Sequence, residues 1–209
     1  MNKAILLPKL VFNKNYAELS LSLDIKWIST LESFGYTAEV IPLGIMAIEE
    51  YIKERYSKGQ LDTIILTGGG DPKFKDIRYD AEKKIIEFAI NQNIKLIGIC
   101  RGMQAIGLYF GGTLQKIDNH VASDHQIQLC DEMTCKVGTD VILVNSYHDY
   151  VLCEKSIECS FDILGREISD SAVELIQHKV YRNIVGMMCH PERGSLMTKA
   201  LFEVLIDGK

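Results

Sequence analysis

Cys100 stands in the segment Gly98-Ile99-Cys100-Arg101-Gly102, directly after the apolar run Leu96-Ile97 and ahead of a stretch with helical spacing. A strand that passes straight into a helix turns sharply, and glycines on both sides of the apex let the backbone fold that tightly. The apical side chain then stands above the sheet edge. It faces the unpaired amides and positive dipole end of the following helix, a setting suited to a thiolate nucleophile. A cysteine at a helix start is also common as buried filler, so the reading depends on a second motif. Cys189-His190-Pro191-Glu192 ends the strand-like run Ile184-Val185-Gly186-Met187-Met188. Residues two apart in extended backbone face the same way, so His190 and Glu192 lie side by side with Pro191 fixing the turn. Cys100 as nucleophile, His190 as base and Glu192 as the carboxylate that orients it fill the three roles of a hydrolytic triad. The same alternation turns Cys189 away from His190 and into packing.

A third motif, Thr67-Gly68-Gly69-Gly70-Asp71-Pro72, follows the strand-like Thr63 to Leu66. Open α/β sheets bind ligands at such strand ends, where glycines let backbone N–H groups point outward. The loop is not a nucleotide-binding Walker A loop, because no Gly-Lys-Ser/Thr follows at the required spacing. A plain tight turn is the competing reading. Beside an activated Cys100, the amide of Gly69 or Gly70 and that of Arg101 would form an oxyanion hole, which implies acyl transfer.

The elements that must position these groups alternate between strand and helix. Strands are expected at Ala4 to Leu7, Thr37 to Leu43, Thr63 to Leu66 and Lys95 to Ile99. Helices are expected at the Leu23, Trp27, Ile28, Leu31, Phe34 face closed by Gly35, at Ile48 to Arg55, at Asp80 to Asn91 and at Gly102 to Phe110. This rhythm predicts an α/β fold with an open, largely parallel sheet flanked by helices. Beyond Gly112 the pieces are shorter and β-like: Gln126 to Leu129, Met133 to Val137, Val141 to Val144, Ile157 to Leu164, Val173 to His178 and Ile184 to Cys189. They predict a mixed or antiparallel extension of the sheet, closed by a helix from Ser195 to Ile206. One domain over residues 1–209 is expected.

The 209 residues carry a net charge of −5 and no basic run, which argues against a nucleic-acid partner. No signal peptide or membrane-length apolar run is present, so a cytoplasmic location is expected. The six cysteines form no C-x-x-C pair, and His125, Cys130 and Cys135 do not have zinc-site spacing. Neither a disulfide framework nor a metal is expected. His120, His125 and His178 read as surface or structural residues.

The Gly-rich loop, the Gly98-Ile99-Cys100-Arg101-Gly102-Met103-Gln104 elbow, Gly111-Gly112-Thr113-Leu114-Gln115, Val144-Asn145-Ser146-Tyr147-His148 and His190-Pro191-Glu192 together resemble a class I glutamine amidotransferase domain, over nearly the whole chain. Such domains have a flavodoxin-like sheet. Within that group the N-terminal part and the Asn-Ser-x-His block are more similar to the γ-glutamyl hydrolases of peptidase family C26. As a whole the chain is also similar to the γ-glutamyl-CDP-amidate hydrolases of capsular phosphoramidate synthesis. The resemblance implies a Cys100, His190, Glu192 triad and an oxyanion hole from the backbone of Gly69 or Gly70 with Arg101. It also implies glutamyl contacts at Gln104, Ser146 and Tyr147, with His148 a further substrate contact or a structural residue. No cofactor is implied. Asp149 and Tyr150 depart from the hydrolase pattern, as does Cys189 where an aromatic residue is common, so the leaving group is left open.

Three functions follow as expectations. The first is a hydrolase acting alone on a small-molecule γ-glutamyl amide larger than glutamine. The second is the glutaminase subunit of a two-chain amidotransferase that passes ammonia to a synthase. The third is a non-catalytic ligand-binding module built on the Gly68 to Asp71 loop.

Overall fold

In the computed structural model, described for residues 2–42, 47–70, 72 and 77–207, the apolar runs of the first half become buried neighbouring strands. In chain order the elements are β1 (Asn2–Leu7), β2 (Lys9–Asn13), β3 (Glu18–Ser22), α1 (Lys26–Ser33), β4 (Tyr36–Val40), α2 (Ala47–Ser57), β5 (Thr63–Leu66), α3 (Ile77–Gln92), β6 (Lys95–Ile99) and α4 (Arg101–Tyr109). There follow β7 (Leu114–Lys116), β8 (Val121–Leu129), α5 (Asp131–Val137), β9 (Val141–Tyr147), β10 (Tyr150–Leu152), α6 (Glu154–Ile157), β11 (Phe161–Glu167), β12 (Val173–His178), β13 (Ile184–Met187) and α7 (Leu196–Asp207).

One nine-stranded sheet has the order β4-β1-β5-β6-β13-β12-β11-β8-β9. The pairs from β4 through β13 are parallel, and those beyond β13 are antiparallel. The burial patterns explain the division. β5 and β13 are buried at every residue, as parallel strands covered on both faces must be. β9 alternates between buried and accessible positions, as a strand with one wet face does. The core is aliphatic and continuous across both halves, and at its edge the ring of Trp27 on α1 meets Phe202 on α7 edge-on at 5.9 Å.

Three expectations need correction. Residues 133–137 are helical, not a strand: they belong to α5, where Asp131 and Glu132 in the first turn suit the helix dipole and Gly138 at φ 85° ends the helix. The strand expected from Ile157 begins only at Phe161, because Glu154–Ile157 forms the short helix α6. Between β1 and α1 the chain also forms an antiparallel hairpin, β2 and β3, registered from Lys9 opposite Ser22 to Asn13 opposite Glu18. Leu43 and Asp71, parts of an expected strand and loop, lie outside the described residues.

The two central strands carry the site. β6 and β13 run in parallel with Ile99 opposite Met187, so both chains leave the sheet at the same edge. Cys100 N donates to Met187 O at 2.8 Å and closes the last rung between them. No helix among the described residues is long and apolar enough to cross a membrane.

Candidate active site

Cys100 occupies φ 49°, ψ −104°, a conformation side chains rarely adopt, and α4 begins at the next residue. The flanking glycines are required by contact. A Cβ on Gly98 would lie 2.5 Å from the Gly102 carbonyl carbon, and one on Gly102 would lie 2.1 Å from the Leu66 carbonyl oxygen. The elbow is therefore pressed against the end of β5, which places Cys100 beside the loop that leaves that strand.

His190 follows β13 by the same route. Its Nδ1 is 2.9 Å from Glu192 Oε1, with both side chains buried. Asn145 on β9 holds the histidine backbone from both sides: His190 N donates to Asn145 Oδ1 at 2.8 Å, and Asn145 Nδ2 donates to His190 O at 2.9 Å. Burial works against the charged imidazole, but Cys100 and Glu192 outweigh it and raise His190 from 6.5 to about 9. His190 is thus an imidazolium at neutral pH. Its Nε2 closes no hydrogen bond among the described residues, so Cys100 acts on it without hydrogen-bond geometry; such contacts are commonly loose before substrate arrives. Cys189 is buried in the core, and burial pushes its thiol far up, which leaves it inert.

The Gly-rich loop is oriented by a buried cation. Arg78 of α3 donates from Nη1 to the carbonyls of Gly68 at 3.1 Å and Gly69 at 3.2 Å, and from Nη2 to that of Thr67. In a planar trans peptide the N–H points opposite to its C=O. The amides of Gly68, Gly69 and Gly70 therefore face away from Arg78. Glu82 balances the charge, meeting Arg78 Nε at 3.1 Å and Arg101 Nε at 3.1 Å. Gly68 also packs against the His190 ring: a Cβ there would lie 2.5 Å from His190 Cε1. Gly69 is at φ 119° against the Lys9 side chain, so the hairpin reaches the site as well.

These groups open on a cavity of about 290 Å³. Cys100, His190, Glu192, Gly69, Gly70, Tyr147 and His148 line it, together with Asp24, Trp27 and Asp149. At the rim Arg193 reaches Asp24 Oδ2 at 3.2 Å and covers the Tyr147 ring at 5.3 Å. Tyr147 in turn stands edge-on to the His190 ring at 5.7 Å.

Two expected substrate contacts are placed differently. Gln104 is buried one turn beyond Cys100 and donates to Tyr150 O at 2.8 Å, and Ser146 is buried and donates to His120 O at 2.6 Å. Neither is among the residues lining the cavity. The Arg101 side chain meets Glu82, from Nε at 3.1 Å and from Nη2 at 3.3 Å. Asn145, Arg78 and Glu82 were not foreseen as parts of the site. Asn145 lay inside a motif already noted, whereas nothing in sequence spacing marks an arginine of α3 as the anchor of a loop after β5. His120 and His178 are buried, not surface residues. His178 accepts from the Val180 and Tyr181 amides at Nδ1.

The sequence matches the profile of the glutamine amidotransferase class-I family over residues 21–205. It is 32% identical over 144 residues to the γ-glutamyl-CDP-amidate hydrolase of Campylobacter jejuni, covering 66% of each chain. It is 27% identical to one subunit of the glutamine-hydrolysing GMP synthase of Methanocaldococcus jannaschii, covering 78% of this chain and 79% of that one. The fold is similar to that of a putative GMP synthase subunit from Thermoplasma acidophilum, at 18% identity with a TM-score of 0.72 over 99% of this chain and 94% of the other. A profile match of that extent, on a sheet of this order whose paired central strands end in a cysteine elbow and a His-Pro-Glu turn, places the chain in the class I glutamine amidotransferase family.

Proposed function

We propose that this protein hydrolyses a γ-glutamyl amide through a thioester on Cys100, with His190 and Glu192 completing the triad. The observation that carries the reading is the strained Cys100 elbow and the His190–Glu192 pair at the ends of adjacent parallel strands, facing one cavity. Cys100 Sγ attacks the γ-carbonyl carbon, and the carbonyl electrons move onto oxygen. The outward amides of the Gly68 to Gly70 loop and that of Arg101 receive this oxyanion, a role in which a single donor supplies about 3 kcal/mol in related chemistry. When the C–N bond breaks, His190 gives its Nε2 proton to the departing nitrogen and the amine leaves. Water then attacks the thioester and yields its proton to His190. Glutamate departs as the C–S bond breaks.

Gln104, Ser146 and Tyr147 are assigned to the glutamyl side, the first two acting through the backbone they brace. His148 and Asp149 lie on the wall left for the leaving group. The likeness to the C. jejuni hydrolase supports a γ-glutamyl nucleotide amidate as candidate substrate. A second reading, a glutaminase subunit serving a synthase, is favoured by the likeness to the GMP synthase subunit. The isolated chain should be given glutamine and a series of larger γ-glutamyl amides, γ-glutamyl-CDP-amidate included, with products followed by mass spectrometry. Higher kcat/KM for a larger amide, lost in Cys100→Ala, is the expected result. Cleavage of glutamine alone, and only after a second protein is added, would replace it with the subunit reading. Cleavage of none would remove both.

A further inference from the structure

Behind the cavity wall formed by His148, three imidazoles surround one carboxylate. Glu174, on β12, is 1% exposed, and its Oε1 lies 3.4 Å from His148 Nε2, 3.5 Å from His125 Nε2 and 3.8 Å from His120 Nδ1. None of these contacts is a hydrogen bond. Both oxygens of Glu174, both nitrogens of His125 and of His148, and Nδ1 of His120 are buried without a hydrogen-bond partner among the described residues. So many orphaned polar atoms at one point are costly, because each gives up water and gains nothing.

The separations are too long for hydrogen bonds but suit ligands of one cation. Donors held about 2.0 to 2.1 Å from a tetrahedral zinc ion are about 3.3 Å from each other. One ligand atom each from His120, His125 and Glu174 lie within 4.8 Å of one another. The outer side of the site is built as metal sites are built. His120 Nε2 is 2.9 Å from Asp170 Oδ2, so a carboxylate fixes the ring and leaves Nδ1 facing Glu174. Asp170 is itself held, its Oδ1 accepting from Ala172 N at 2.9 Å and its own N–H donating to Glu167 Oε2 at 2.7 Å.

We infer that His120, His125 and Glu174 form a binding site for one divalent first-row transition ion, zinc by donor type, and that the ion, with His148 packed against the Glu174 carboxylate, braces the cavity wall from behind. Two imidazoles with one carboxylate are a donor set for Zn²⁺ or Co²⁺, not for Mg²⁺ or Ca²⁺, which prefer all-oxygen sites. By fixing Glu174, the ion would fix the His148 ring packed against it at 3.4 Å, and with it the wall that carries Tyr147 and Asp149. This assignment does not depend on the proposed hydrolysis.

The test uses full-length Cys100→Ala protein, so that the catalytic thiol cannot serve as a ligand. After chelator treatment and dialysis it is titrated with Co²⁺ alone and then Zn²⁺ alone, and absorption, calorimetric stoichiometry and Tm are read. Expected are one site per chain, visible Co²⁺ bands of tetrahedral intensity without a sulfur charge-transfer band, displacement by Zn²⁺, and a raised Tm. His125→Ala should weaken binding at least tenfold. Its side chain is the most accessible of the four, at 11%, and circular dichroism checks that the variant folds. Absence of Co²⁺ or Zn²⁺ binding in the Cys100→Ala protein would overturn the inference, and that measurement needs no change at the cluster. Unchanged affinity in folded His125→Ala would overturn it too.

Discussion

The backbone at Cys100 is strained, and strain of this kind costs about 1 to 3 kcal/mol at a non-glycine residue. That cost is measurable. Cys100→Gly should be more stable than Cys100→Ala by about 1 kcal/mol in denaturant unfolding, the reverse of the usual order near a helix, while both lose turnover. Equal stabilities would show that the elbow is relaxed. Alkylation mapped by mass spectrometry should mark Cys100 and spare Cys189, whose thiol is buried and pushed up. The His190 charge has its own signature. Its value rises from 6.5 to about 9 on folding, so the stabilisation is complete below pH 6.5 and is lost as pH rises through 9. Wild-type Tm should therefore fall more between pH 7 and 9.5 than that of His190→Gln. Asn145 holds His190 through its backbone alone, a positioning role in the proposed mechanism. Asn145→Ala removes two hydrogen bonds to the His190 backbone and should lower kcat by about tenfold to a hundredfold with little change in KM.

At the scale of elements, the elbow is a three-way contact among β5, β6 and α4, and its glycines differ in kind from those that end helices. Gly102→Ala would drive a methyl into the Leu66 carbonyl and should cost about 3 kcal/mol or more, as severe overpacking does. Gly111→Ala, at φ 87° with open space around it, should cost only about 1 to 2 kcal/mol from its left-handed backbone. Comparable losses in urea unfolding would contradict the close-contact account. This distinction also explains what could be read beforehand. The buried parallel strands were legible because β-branched runs such as Thr63-Ile64-Ile65-Leu66 have few alternatives, and the meeting of the Cys100 and His190 motifs was legible because both sit where such runs end. α5 was misread because only Met133 of its seven residues is buried, so apolar periodicity said little, and Asp131, Glu132 and Gly138 were the better guide. The hairpin was missed although Glu18-Leu19-Ser20-Leu21-Ser22 alternates as a strand should. Its leucines are exposed, and an alternation that buries neither face of a core carries little weight. The Glu174 cluster had little local signature, since its four members come from three segments and only His120 and His125 are near in sequence.

Across the whole molecule, Cys100 and the His190–Glu192 pair come from distant parts of the chain and meet only because β13 crosses back to lie beside β6. Synthesis proceeds from the other end. The strands β4, β1, β5 and β6 can pair as soon as they emerge, but they leave β6 as an open edge, with Leu96, Ile97 and Ile99 fully buried in the finished protein. Everything from α4 to β12 must be made before that edge is covered. An apolar, unpaired parallel edge is a template for wrong partners. A chain ended after residue 183 should accordingly be recovered in the insoluble fraction, whereas the full chain is soluble under the same expression. For as long as translation runs between those points, the strand that leads into Cys100 is an exposed adhesive edge of the nascent protein, and a chaperone that shields extended apolar segments would find a binding site there.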